Sequence, residues 1–291
     1  MLRCGQMLLA QAMVMKHLGR GMSCDASYAK ILRMFQDKKN SLYSIHQIAQ
    51  MGESEGKGIG EWFGPNTVMQ VLKKLSMYDT WNKFAIHIAM NSAVVIEDQN
   101  ASFSRYTSQQ KPPNYCWRPL LLVIPLRLGL LHLNPCYVQA LKVGFFILRS
   151  PRCFGCSGYL GMIGGRPNHA LYFIGLAGDK LIYLDPHASQ ISVDLDEGCE
   201  ALQDASYHST SLLSMPVDNI DPSIAIAFYC ESEIDFDAFC DFAQQELLAQ
   251  HCPLFEILEK HPATWPRFQP YVRVDEKQSG NHVLPFDSWH I

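Results

Sequence analysis

The spacing of apolar and polar positions divides the chain into a helical first half and a strand-rich second half. Residues 2–18 carry Cys4, Leu8 and Met15 near one face of a helical period and stop at Gly19, which predicts a mostly buried helix. Helical patterning recurs at residues 27–37, 44–51 and 65–77, the last opened by Gly64-Pro65-Asn66-Thr67, where proline suits a first turn. Further on, short apolar runs bounded by Gly, Pro or Asp predict strands at residues 85–88, 120–125, 170–174, 180–184 and 224–229. Helices return at residues 135–144 and 235–250. A helical half followed by a sheet-rich half, without regular alternation of strand and crossover helix, predicts the α+β class.

Residues 98–115 are polar, with Pro112 and Pro113, and read as an internal loop. Residues 262–291 carry Pro, Gly and isolated aromatics, and read as a loosely held tail behind a domain spanning residues 1–261. The most apolar stretch, residues 120–133, is shorter than the roughly 20 residues a membrane helix needs. Pro125 and Arg127 interrupt it, so it reads as a buried strand. Gln6, Gln11 and Lys16 break the first apolar run too often for an export signal.

Composition narrows the function classes. The chain has 291 residues, 48% of them hydrophobic and 18% charged, enough for a sizeable core. A net charge of −4 with no long Lys/Arg run argues against nucleic acid or an anionic membrane as the main partner. The ten cysteines lack the dense, regular spacing of a secreted disulfide scaffold, which points to reduced thiols and a cytoplasmic setting.

Several stretches carry candidate chemistry. Residues 52–60 (GESEGKGIG) resemble a phosphate loop, but no Ser or Thr follows Lys57 and no apolar strand precedes it, so a turn is expected. Cys153-Phe-Gly-Cys156 has knuckle spacing without a second ligand pair, so no metal is expected there. Asp185-Pro186-His187 follows the apolar run Leu181-Ile182-Tyr183-Leu184. In an extended chain, residues two apart project to the same side, which would set a carboxylate beside an imidazole as orienter and base. A strand ending in an Asp-Pro turn explains the same tripeptide without catalysis. His169, opening the run Ala170-Leu171-Tyr172-Phe173-Ile174, competes with His187 for the base, and spacing leaves the choice open.

The segments MLRCGQMLLAQA, YSIHQIAQMGESEGKGIGEWFGPNTV, WRPLLLVIPLRLG, MIGGRPN, YFIG, LIYLDPH and DPSIAIAFYC occur in that order. Together they resemble the autophagins, the autophagy-related cysteine endopeptidases, over residues 1 to about 258. The resemblance implies a papain-like α+β fold and assigns Asp185 and His187 to the catalytic triad in preference to His169. It implies that Trp62 is an aromatic lid over a narrow groove, facing a loop of Gly164, Gly165, Arg166, Pro167 and Asn168. The family nucleophile is the cysteine of a GWGC motif directly ahead of MLRCGQM, so the chain, which begins at Met1, lacks it. Cys4, one helical turn on, is implied as an oxidant-sensitive neighbour and is a poor substitute nucleophile, because a turn displaces its sulfur by about 5.4 Å. Residues 148–159 are longer than the family's link, which with the missing nucleophile suggests a truncated or inactive form.

The implied activity is cleavage after the carboxyl-terminal glycine of a ubiquitin-like autophagy modifier, free or conjugated to phosphatidylethanolamine. Membrane contact would be only indirect, through the lipidated substrate, with no metal or cofactor. The alternative is a catalytically dead modifier-binding protein. In the tail, Tyr271 and Val274 have the aromatic, two residues, aliphatic form of a modifier-docking motif, as do Phe255 and Leu258, the latter pair expected to pack on the core.

Overall fold

The computed structural model describes residues 1–19, 26–98, 117–147, 158–191, 193, 195, 204–209 and 211–266. Cys153, Cys156, the extended link at 148–157, Tyr271 and Val274 lie outside the described residues. Helices α1 (Leu2–Leu18), α2 (Ala26–Met34), α3 (Ile45–Met51) and α4 (Pro65–Leu75) come first. Strands β1 (Ala85–Ile88), β2 (Ala93–Val95) and β3 (Leu120–Arg127), helix α5 (Val138–Ile147), and strands β4 (Tyr159–Arg166), β5 (His169–Ala177) and β6 (Lys180–Leu184) follow. Strands β7 (Leu213–Pro216) and β8 (Ser223–Cys230), helix α6 (Glu233–Phe242) and strand β9 (Glu256–Leu258) complete the order.

Seven strands form one sheet in the order β1-β3-β8-β4-β5-β6-β7, antiparallel throughout except for the β1/β3 edge pair. Strands β2 and β9 form a separate parallel pair. The central strands are apolar on both faces because helices cover both. Alternate residues of β3 enter different cores: Leu120, Leu122 and Ile124 meet α5 and α6, whereas Leu121 and Val123 meet the α1–α4 layer. This segregated α+β arrangement agrees with the class predicted from the order of elements.

Helix α1 lies at the centre of the helical layer, with Cys4, Leu8, Leu9, Ala12 and Met13 all at 0% exposure. It packs on β4, β5 and β8 below and on α2, α3 and α4 around it. Such close packing needs small residues: a Cβ on Gly5 would meet Val68 Cγ2 at 2.6 Å.

Element ends differ from the sequence expectation where tertiary hydrogen bonds intervene. Helix α2 stops at Met34 because the chain folds back, Ser41 Oγ bonding Arg33 O at 3.0 Å and Tyr43 N bonding Met34 O at 2.9 Å. Helix α6 begins at a capping box, Ser232 Oγ accepting from Asp235 N, and passes after Phe242 into a wider turn at Ala243–Leu247. Strand β3 runs on through Pro125 to Arg127, which the sequence reading stopped at the proline. Its neighbour β1 pairs only with Leu120 to Val123, so Pro125 lies where β3 has become an edge and no donor is missed. Strands β2, β7 and β9, of three or four residues each, carry no alternation to betray them and were not predicted, and neither was β4, whose glycines read as loop. Phe255 is buried and residues 256–258 are paired with β2, so the second docking-like tetrapeptide is part of the fold. Residues 52–60 form a short 3-10 turn (Gly52–Glu55) followed by Gly56 at φ 70°, with no strand ahead of it.

Candidate active site

Strands β5 and β6 are joined by the tight Gly178-Asp179 turn and paired from Ala177↔Lys180 to Tyr172↔Leu184. Beyond Leu184 the chain reaches Asp185, and Pro186 ends the strand because it has no N–H to give a neighbour. The carboxylate of Asp185 instead takes the next available donor: His187 N bonds Asp185 Oδ1 at 2.9 Å, an Asx turn. That turn swings the His187 ring onto the same oxygen, Nδ1 to Oδ1 at 2.6 Å. The contact expected from extended geometry is therefore present but arises from a turn, since Asp185 and His187 lie past the strand end.

A second imidazole joins them. His169 Nε2 lies 3.2 Å from Asp185 Oδ2, and the His169 and His187 rings lie tilted 31° to each other with centroids 4.0 Å apart. The two histidines that the sequence set against each other share one carboxylate. The hairpin brings them close: β5 opens at His169, and Tyr172 pairs with Leu184, the last strand residue before Asp185. Side-chain exposures of 29% for His169, 24% for Asp185 and 43% for His187 leave the cluster open to a substrate or ion. Partial burial alone would raise the Asp185 pKa. The His187 backbone N–H and the two imidazoles outweigh it and hold the carboxyl down at about 2, so Asp185 is a carboxylate at neutral pH.

The cluster lies at the amino-terminal end of α1. Cys4, in the first turn, is close enough to Asp185 for the carboxylate to act on its thiol, and Tyr172 of β5 feels Cys4 in turn. Burial pushes the Cys4 thiol up to about 12, with Asp185 adding to it against the opposing chain terminus. Such a buried thiol is held in its neutral form, which makes it a poor nucleophile. No side chain caps α1, whose first-turn N–H groups leave partial positive charge facing this end.

The groove residues are distributed differently from expectation. Gly164 and Gly165 are buried ladder residues of β4, paired with Leu171 and Ala170, and so are not loop. The loop contracts to a two-residue turn, exposed Pro167 and Asn168, with Asn168 at φ 61° in the left-handed region asparagine tolerates. A Cβ on Gly165 would fall 2.0 Å from His169 O, and one on Gly164 2.8 Å from Ile224 Cγ2, so both glycines permit the hairpin to lie flat against its neighbours. Trp62 is 55% exposed in the segment between the 52–55 turn and α4. His169, which the sequence set against His187 for a single role, lies on the same carboxylate as His187 rather than in its place.

Comparison with known proteins decides the family. The model of the peptidase C54 catalytic domain matches residues 1–242. The chain belongs to this family, the autophagins. It is 45% identical to cysteine protease ATG4A of Xenopus laevis, in an alignment covering 98% of this chain and 76% of that protein. It is 44% identical to cysteine protease ATG4A of Homo sapiens over the same shares of each, and 45% identical to cysteine protease ATG4B of Xenopus laevis over 90% of this chain and 71% of the relative. By family, then, this autophagin is a thiol peptidase with a papain-like α+β fold. Among the described residues no helix is long and apolar enough to cross a membrane.

Proposed function

We propose that the Asp185–His187 pair is the acid–base half of an endopeptidase site that cleaves after the carboxyl-terminal glycine of a ubiquitin-like autophagy modifier. The observation that carries the reading is the ionised Asp185 bonded to His187 Nδ1 at 2.6 Å, at the amino end of the buried helix α1. In this reading Asp185 fixes the tautomer of His187 and stabilises its imidazolium. His187 takes the proton of a thiol and returns it to the leaving group, and water then hydrolyses the thioester. The thiolate is supplied at the amino end of α1, where the helix end and His187 would lower its pKa. Trp62 and the Pro167-Asn168 turn form the groove walls, which admit only small residues at the cut. The modifier is taken as precursor or as its phosphatidylethanolamine amide, in the cytoplasm, and no cofactor takes part in the chemistry.

A second reading applies to the chain as it stands: a modifier-binding protein without turnover. The neutral, buried Cys4 thiol favours it. Incubation with modifier precursor separates the two possibilities. The chain from Met1 is expected to bind without cleaving, and the same chain extended by Gly-Trp-Gly-Cys is expected to cleave, with His187→Ala abolishing turnover. Cleavage by the unextended chain that Cys4→Ala removes would overturn this assignment of the nucleophile.

A further inference from the structure

We propose that His169, Asp185 and His187 together form a binding site for one divalent transition-metal ion of the zinc type, whose occupancy breaks the Asp185–His187 hydrogen bond. The consequence for catalysis rests on the peptidase reading; the binding does not. Each of the three residues offers one ligand atom, and these atoms all lie within 4.8 Å of one another. Tetrahedral zinc, with ligands at about 2.0–2.2 Å, sets its donors roughly 3.4 Å apart. Two imidazole–carboxylate contacts already lie just below that spacing, at 2.6 Å to Oδ1 and 3.2 Å to Oδ2 of Asp185. The two rings lie with centroids 4.0 Å apart, tilted 31° to each other, and both contact the same carboxylate.

The donor chemistry selects the ion. Two imidazoles and one carboxylate suit zinc and its neighbours, whereas magnesium and calcium call for six or more oxygens. The partial exposure of all three side chains lets an ion enter and leaves a fourth position for water. The scaffold is prearranged: His169 opens β5, Asp185 follows β6, and the Asx turn ties His187 to the same carboxylate. Both nitrogens now facing Asp185 would turn lone pairs to the ion, with each ring's proton carried on the outward nitrogen. His187 Nδ1 is then a ligand, and Asp185 no longer orients the ring.

The test uses the chain as it is. Zinc chloride is titrated into the reduced protein in a non-chelating buffer, with calorimetry for stoichiometry and long-range proton–nitrogen imidazole spectra for location. The expected result is one ion whose binding moves the ring nitrogens of His169 and His187 and weakens about ten-fold or more in His169→Asn. Undisturbed His169 and His187 resonances at saturation, or equal affinity in His169→Asn, would place the ion elsewhere, on thiols such as exposed Cys136, and overturn the proposal. The wild-type spectra decide even where a variant does not fold. Because substrate is absent throughout, failure here leaves the peptidase reading standing, and absence of cleavage in the modifier assay leaves the metal site standing.

Discussion

Asp185 is the residue on which the site turns, because one carboxylate serves two imidazoles and a backbone N–H. Its folded pKa of about 2 lies below the ordinary 3.8, so its bonds contribute stability that is fully present above pH 3.8. That contribution disappears as the pH falls through about 2, when the folded carboxyl protonates. Asp185→Asn removes the charge while keeping the shape. Urea midpoints of wild type and variant are therefore expected to differ at pH 5 and converge toward pH 2. A gap that stayed constant across this range would mean Asp185 is not held in the ionised form by its histidines. At the same scale, Cys4 shows how burial decides a thiol's chemistry: its position in the first turn suggests reactivity, and its desolvation removes it.

At the scale of elements, helix α1 is placed by what it lacks. Gly5 lets α1 approach α4 until Val68 occupies the space a side chain would need, with Leu72 Cδ1 only 3.1 Å from the same point. Val68 is β-branched and, within a helix, has essentially one rotamer, so it cannot step aside cheaply. Alanine at position 5 gains helix propensity but overpacks this contact. Gly5→Ala is expected to destabilise the protein by about 1–2 kcal/mol. Val68→Ala made in the same chain should recover part of the loss, and chemical denaturation of the two single variants and the double variant measures the coupling. The β5/β6 hairpin positions the site by a comparable detail. Between Phe173 and Gly175 the register slips by one residue. The slip lies between the hairpin's turn and the end that carries His169, and it sets which residues of β5 and β6 meet there.

Across the whole molecule, one sheet is shared by two cores. Leu121 and Val123 answer to α1, and their neighbours Leu120 and Leu122 answer to the aromatic cluster of Phe228, Phe236, Phe239 and Phe255. A defect in either core is therefore felt through the strands by the other. Phe239→Ala, in the core opposite the site, is expected to cost about 3–5 kcal/mol. Loss of near-ultraviolet and far-ultraviolet dichroism should remain a single coincident transition at a lower midpoint. Separate transitions would show that the helical layer around α1 holds together without the far core. The short β2/β9 pair and the contact of His261 Nδ1 with Asp98, 2.9 Å from its carboxylate, carry the chain back across the molecule after α6.

The sequence by itself determined the α+β class, the extent of α1, the strands β1, β3, β5, β6 and β8, and the Asp185-Pro186-His187 motif. All of these follow from local periodicity, from proline and glycine chemistry and from the order of elements. Segment by segment it also carried the likeness that led to the family. Three decisions belonged to the tertiary structure. The edge strands β2, β7 and β9 exist only because a partner supplies their hydrogen bonds. Gly164 and Gly165 are strand rather than loop because their neighbours approach too closely for any side chain. His169 and His187 share the Asp185 carboxylate because the β5/β6 hairpin and the turn after β6 bring them together, a meeting of residues far apart in sequence that spacing along the chain does not record.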